Sequence, residues 1–342
     1  MRDLIVLSIN ENSQIAEARR LVSGLARGLG FNEVEIGKVS IIVAELGTNL
    51  VKHAKGGGHL IIRSLQWDHL NGFEILSLDK GPGIGNISKA LQDGYSTSGS
   101  LGTGLGAIRR LSPLFDIHSL PGLGTAVMVR VWSGPLPRNF SSRNLEIGAI
   151  NLPKPSEEVC GDTWAMEQTQ DRSLVFIADG LGHGIDAAQS AHEAVNIFLK
   201  NRLLRPSEIM ELIHNGLKHT RGAAVAIAEI SVNHDVVRFA GVGNISGAIV
   251  TPSGMRHLVS HNGTVGGEVR KIEEFTYPWS GRNQQELPIL VMHSDGLATR
   301  WDLNSYAGLC RRHPSLIAGV LYRDYCRGND DVTIVVAKPR GG

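Results

Sequence analysis

Acidic residues at the ends of apolar runs, each beside a glycine or a second acid, recur in the C-terminal part of this 342-residue chain. Asp162 follows Gly161, Asp179 closes the run LVFIAD and precedes Gly180, Asp295 follows PILVMHS and precedes Gly296, and Asp330 and Asp331 precede VTIVVA. Carboxylates far apart in sequence, once folding gathers them, are hard oxygen ligands suited to Mg²⁺ or Mn²⁺. Two such ions activate a shared water and clamp a phosphoryl group, so hydrolysis needs no covalent enzyme nucleophile. One Asp-Gly is an ordinary turn signal. Two strand-to-Asp-Gly junctions, a Gly-Asp and a late Asn-Asp-Asp-Val-Thr together point to a metal site, with the Gly180 carbonyl accessible as a further ligand. His183, in the same GLGHG stretch, is read as holding the loop, with proton donation or phosphate binding as the alternative.

The N-terminal part carries a different set. Glu45, Asn49 and His53 recur every fourth residue and so share one helix face. A carboxylate and an amide there can orient a nucleophile or hold Mg²⁺ with waters left over for phosphate oxygens; a solvated helix face is the alternative. Asp79 ends an apolar run ahead of Gly81, Pro82 and Gly83, where backbone can approach a ligand closely. Its carboxylate can accept a hydrogen bond from an adenine amino group, or the segment is a plain turn. The run STSGSLGTGLG, residues 96–106, leads into a helix, so backbone N–H groups and the helix N-terminus offer an anion cradle.

The elements that must position these groups follow from periodicity. Apolar spacing predicts a helix over 13–29, and Asn32 with Glu35 has the chemistry of a capping box opening a second helix over 34–54, closed by Gly56, Gly57 and Gly58. Strands are predicted at the N-terminus and over 59–65, 73–78, 115–119 and 125–132, with a helix at 104–111 and a turn at 121–124. The Ser-, Gly- and Pro-rich segment 133–142 marks a domain boundary near residue 138. Beyond it, strands are predicted at 145–152, 162–168, 173–178, 223–232, 236–241, 247–251, 288–293 and 332–337, and helices at 185–201, 207–218 and 314–325. The expected class is α+β in two domains, 1–137 and 138–342: helices on one face of a mainly antiparallel sheet, then a sheet sandwich covered on both faces.

Composition sets outer limits. The 34 basic and 33 acidic side chains nearly cancel, which argues against an electrostatically driven nucleic-acid or membrane partner. No stretch approaches the ~20 apolar residues of a membrane span, and the N-terminus lacks a signal-peptide pattern. Cys160, Cys310 and Cys326 form no CxxC pair, so thiols in a reducing cytoplasm are expected.

The ordered boxes E-x-x-x-N (Glu45, Asn49), D-x-G-P-G-I from Asp79 and G-x-G-L-G before a helix resemble the GHKL ATP-binding family. Residues up to about 132, including LQDGYSTSGSLGTGLGAIRRL and FDIHSLPGLGTAV, look closest to its RsbT-type serine kinases. The resemblance implies a Bergerat α/β two-layer sandwich that binds ATP with Mg²⁺. Glu45 would be the general base, Asn49 the Mg²⁺ ligand and Asp79 the adenine reader, with Gly81, Gly83, Gly102, Thr103, Gly104, Leu105 and Gly106 around the nucleotide. ADGLGHG, the late SDG and the DDxT resemble the SpoIIE and RsbX branch of the PPM phosphatases, over 145–338. This implies an αββα sandwich holding two Mn²⁺ or Mg²⁺: Asp179 bridging, Asp162 and the Gly180 carbonyl on one side, Asp295 and Asp330 on the other, and Asp331 taking the place of Asp330 if the register shifts by one. Together the resemblances imply a cytoplasmic regulator that phosphorylates and dephosphorylates Ser or Thr of STAS-domain antagonist or stressosome scaffold proteins. In the alternative, the N-terminal domain is a nucleotide-dependent partner-binding switch beside an active phosphatase.

Overall fold

The computed structural model describes residues 4–92, 104–136, 145–155, 157–169, 171–231, 234–280 and 287–340. The chain divides into two units, Met1–Ser141 with Tyr306–Arg323, and Ser142–Ser305 with Asp324–Gly342.

In unit 1 the elements run β1 (Leu4–Ile9), α1 (Asn12–Gly28), α2 (Glu33–His53), β2 (Gly58–Trp67), β3 (Leu70–Asp79), α3 (Ile87–Ala90), α4 (Gly104–Leu111), β4 (Leu114–Ser119) and β5 (Thr125–Trp132). The strands form an antiparallel sheet in the order β1-β2-β3-β5-β4. The start of α2 is fixed as its sequence foretells: the Asn32 side chain accepts from the Glu35 N–H at 2.9 Å and Glu35 accepts from the Asn32 N–H at 3.3 Å, satisfying two of the donors a helix end leaves open. Ile15, Ala18 and Val22 of α1 and Val39, Val43 and Leu46 of α2 pack on Leu60, Ile62, Phe73, Ile75, Val127 and Val129. The strand residues of this core are every second one, as the pleat requires.

Unit 2 contains β6 (Leu145–Leu152), β7 (Asp162–Gln168), β8 (Ser173–Gly180), α5 (Ile185–Lys200), α6 (Pro206–Gly216), β9 (Ala223–Ser231), β10 (Val236–Val242), β11 (Ser246–Thr251), β12 (Gly254–Leu258), β13 (Glu274–Pro278), β14 (Ile289–His293) and β15 (Val332–Pro339). Two five-stranded sheets result, β13-β10-β9-β8-β7 and β12-β11-β14-β15-β6. Val175, Ile177, Ala226, Ala228 and Phe239 of the first meet Ile249, Leu290, Met292 and Val335 of the second. Phe176, Val225 and Ile227, pointing the other way, pack under Ala191, Ala194 and Phe198 of α5 and Ile209 and Ile213 of α6. Two strands lie beyond the sequence reading, β12 and β13. Both sit at sheet edges and are only partly buried, so their apolar signal is weak.

The remaining helix, α7 (Pro314–Tyr325), is buried from Pro314 through Leu321. The sequence reading assigns it to the second domain, whereas its stretch up to Arg323 belongs to unit 1. There Gly319 lies against Leu76 and Leu78 of β3; a Cβ at Gly319 would stand 3.1 Å from Leu78 Cδ2. Ser315 Oγ donates to Glu74 at 2.7 Å. Segment 306–323 thus adds a third layer to the α/β sandwich of unit 1, over the face opposite α1 and α2. Among the described residues no helix is long and apolar enough to cross a membrane.

Candidate active sites

The acids of unit 2 meet where strands end. β7 and β8 pair so that Asp162, opening one, lies opposite Asp179, near the close of the other. Three glycines permit the convergence. A Cβ at Gly180 would fall 2.0 Å from the Ala187 carbonyl, one at Gly161 would fall 2.7 Å from Asp331 Oδ2, and one at Gly296 would fall 2.0 Å from the Asp331 carbonyl. Asp162 is 2% exposed. Its Oδ2 accepts from Ser294 Oγ at 2.6 Å, and Ser294 Oγ also accepts from the Thr333 N–H at 2.9 Å, so β14 and β15 are fastened beside Asp162. Asp162 Oδ1 is buried and meets no donor. Asp295 accepts from the Asn244 amide at 2.8 Å.

Asp330 and Asp331, left as alternatives by the sequence, occupy different settings. Asp331 accepts from the Lys154 N–H at 2.8 Å through one oxygen and from the Gly161 N–H at 2.9 Å through the other, so both oxygens are engaged in holding the 154–161 loop. Asp330 accepts the Asp331 N–H at 2.9 Å and its charge acts on Asp179. Burial pushes the Asp179 carboxyl far above the ordinary range, and the charges of Asp162, Asp295 and Asp330 push it further. Burial likewise raises Asp162, with Asp331 adding to the effect against the Ser294 hydrogen bond. Carboxylates that repel one another around an orphaned buried oxygen fit a divalent cation, because an ion supplies the missing charge and the missing partner. Among the described residues no group of three or more His, Cys, Asp or Glu side chains closes into a finished ion cage; mutual repulsion keeps unscreened carboxylates apart. At the rim, His183 Nδ1 lies 2.7 Å from Glu157 Oε1, consistent with holding the loop. Burial pushes the Cys160 thiol up, and the charges of Asp162 and Asp331 add to it, so this thiol stays protonated.

In unit 1, α2 carries Glu45 and Asn49 beneath the first residue of α4. A Cβ at Gly104 would stand 3.2 Å from Glu45 Oε2 and 3.7 Å from Asn49 Oδ1, so only glycine leaves room for a ligand among these three. Gly106 is buried, and Leu105 packs on the core, which makes it a structural support. Gly102 and Thr103 lie outside the described residues. Asp79 Oδ1 accepts from the Gly81 N–H at 2.8 Å and the Thr125 N–H at 3.2 Å. Burial raises its carboxyl, outweighing those two donors. Gly81 has no space for a side chain, with a Cβ falling 2.9 Å from the His53 carbonyl, and Gly83, at φ +72°, would meet the Leu120 carbonyl at 2.1 Å. Sequence reasoning missed Thr125, which helps hold Asp79; Ser119, whose hydroxyl accepts from the Ile84 N–H at 2.8 Å; and Arg323, which donates to the Asp79 carbonyl at 3.1 Å. Gly124 and Thr125 were visible only as the end of a turn.

Residues 9–131 match the histidine kinase-like ATPase domain, and residues 169–340 match stage II sporulation protein E (SpoIIE). Serine/threonine-protein kinase RsbT of Bacillus subtilis (strain 168) is 35% identical over 132 residues, 39% of this chain and 98% of that protein. Phosphoserine phosphatase RsbX of the same organism is 26% identical over 158 residues, 46% of this chain and 76% of that protein. Among solved structures, RsbX in complex with magnesium aligns with a TM-score of 0.50 at 21% identity, over 57% of this chain and 96% of that one. The PP2C phosphatase domain of B. subtilis SpoIIE with a regulatory fragment aligns with a TM-score of 0.50 at 15% identity, over 97% of this chain and 99% of that one; both likenesses speak for the fold alone. By its matched second half the chain belongs to the SpoIIE family of PPM-type phosphatases, and it carries a histidine kinase-like, RsbT-related ATPase domain ahead of that half.

Proposed function

We propose that this chain is a cytoplasmic regulator of partner switching with opposed activities: unit 1 phosphorylates, and unit 2 dephosphorylates, Ser or Thr of STAS-domain proteins. The observation that carries the reading is the Asp162–Asp179 strand-end pair, with its orphaned oxygen and the added charges of Asp295 and Asp330. In unit 2, Asp179, Asp162, the Gly180 carbonyl, Asp295 and Asp330 would hold two Mn²⁺ or Mg²⁺. Bound ions supply an activated water and neutralise phosphoryl oxygens. Ser294 orients Asp162 and Asn244 orients Asp295, while Asp331 sets the Gly161 turn.

In unit 1, Asp79 accepts from the adenine amino group, and the N–H groups at the start of α4 face the phosphates. Glu45 takes the proton of the acceptor hydroxyl as its oxygen bonds to the γ-phosphorus and the bond to the departing ADP oxygen breaks. Asn49 is the side chain that would hold the accompanying Mg²⁺. The test is a purified STAS-domain protein incubated with γ-labelled ATP and Mg²⁺, then the phosphorylated protein incubated with Mn²⁺. Label transfer that Glu45→Ala abolishes, and phosphate release that Asp179→Asn abolishes, are expected. Neither transfer nor release would sink the reading. Release without transfer would select the nucleotide-dependent switch, the second reading, which the Arg323–Asp79 hydrogen bond favours.

A further inference from the structure

Arg323 stands near the C-terminal end of α7, and its Nη1 donates to the Asp79 backbone carbonyl at 3.1 Å. That carbonyl also lies so close to Gly124 that a Cβ there would fall 2.0 Å from it. The residue expected to read adenine is therefore gripped at its carbonyl by Arg323 and at its carboxylate by Gly81 and Thr125. The helix behind Arg323 is fixed in register. Ser315 is held on buried Glu74, the His313 N–H donates to Asp116 at 2.7 Å, Arg312 pairs with the same carboxylate at 3.2 Å, and Gly319 fits against Leu76 and Leu78.

Two residues past Arg323 the same chain makes a second set of bonds. The Tyr325 carbonyl accepts from the Ala298 N–H at 2.9 Å, and the Arg327 N–H donates to the Gly296 carbonyl at 2.9 Å. Leu297 and Cys326 form an antiparallel bridge between these. Gly296 follows Asp295 directly. One short stretch of backbone thus grips the nucleotide-side aspartate at one end and the loop bearing a phosphatase aspartate at the other.

We propose that residues 312–327 form a transmission element, with Arg323 as its positioning residue: nucleotide bound at Asp79 shifts the conformational equilibrium of the Asp295 loop, and the state of that loop shifts nucleotide affinity in return. This rests on the reading that unit 1 binds a nucleotide. A ligand biases an equilibrium only through contacts that differ between its states. An adenine bonded to the Asp79 carboxylate acts on the very residue whose carbonyl Arg323 holds, and the coupling, where it exists, is reciprocal.

Hydrogen exchange on the full chain tests it, with ADP added or omitted at one fixed, saturating Mg²⁺ concentration. ADP is expected to slow exchange by about fivefold or more, the lower end of typical coupling, in three stretches: 77–84, 319–327 and 295–299. In Arg323→Ala the protection at 77–84 should persist while that at 295–299 is lost. Arg323→Lys, which keeps a cationic donor, should restore part of it. Wild-type protection confined to 77–84 would overturn the proposal and leave nucleotide binding standing. So would Arg323→Ala retaining protection at 295–299. Absence of protection throughout would overturn the nucleotide reading and this proposal together.

Discussion

Replacing Glu74 by Gln probes how the third layer of unit 1 is held. Glu74 is 2% exposed and lies in register with Arg63 on β2 and Arg130 on β5. Arg63 donates to one of its oxygens at 2.7 Å, and Arg130 and Ser315 donate to the other, each at 2.7 Å. Burial alone would raise its carboxyl, but the charges of Arg63, Arg130 and His313 and the Ser315 hydrogen bond bring it down from 4.5 to about 2. At ~1.4 kcal/mol per pH unit, that depression corresponds to about 3 kcal/mol. A folded-state pKa below the unfolded one means stability that is complete above about pH 4.5 and is lost as pH falls towards about 2. Gln keeps the shape and leaves two guanidinium groups facing a neutral amide, a change that breaks a buried pair and costs about 3–5 kcal/mol. For a unit of this size each kcal/mol moves the transition by about 2–4 °C, so the first unfolding transition of the full chain should fall by about 6–20 °C at neutral pH. Calorimetry at neutral pH and across the acid range is the assay, and the gap between wild type and variant should narrow as the wild-type carboxylate protonates. A variant melting within about 2 °C of wild type, or a gap independent of pH, would refute the reasoning.

Three further outcomes are expected. Gly180→Ala forces a methyl to 2.0 Å from the Ala187 carbonyl, so α5 must shift; melting should show a loss of about 1–3 kcal/mol, and metal-dependent phosphate release should fall with it. Asp331→Asn turns an acceptor of two backbone N–H groups into an amide with one acceptor, costing about 1–3 kcal/mol with or without Mn²⁺, whereas Asp330→Asn should spare the metal-free fold and weaken the stabilisation that added Mn²⁺ gives; the reverse pattern would exchange their roles. The Asp179 carboxyl is raised by burial and by Asp162, Asp295 and Asp330. A raised folded-state pKa gives stability that is present at low pH and lost as pH rises through it. Metal-free wild type should therefore destabilise on going from acid towards neutral pH, and Asp179→Asn should flatten that slope in thermal melts.

Much of this architecture was legible because local chemistry and tertiary placement agree. Asn32 and Glu35 announce the start of α2 and make the reciprocal cap; the four-residue spacing of Glu45 and Asn49 sets both beneath Gly104; and Asp162 and Asp179, at the beginning and end of apolar runs, pair across two strands. What periodicity cannot encode is which of two adjacent carboxylates engages backbone N–H groups, so Asp330 and Asp331 separate only when Lys154 and Gly161 arrive from elsewhere in the chain. Ser294 and Thr125 were invisible for the same reason, since each acts through one hydrogen bond to an acid distant in sequence.

The destination of α7 was legible in principle, on β3 rather than on the helix. A sheet with one face in water alternates apolar and polar residues, yet β3 reads FEILSL, with Phe73 and Ile75 on the α1 and α2 side and Leu76 and Leu78 on the other, where Gly319 meets them. Glu74 shares that second face, and a buried carboxylate needs charge and donors around it. Arg63 and Arg130 come from neighbouring strands, but the third donor, Ser315, lies 241 residues away in sequence. The unsatisfied face of the early strand and the all-round apolar late helix are complementary requirements, and each explains why the other is buried.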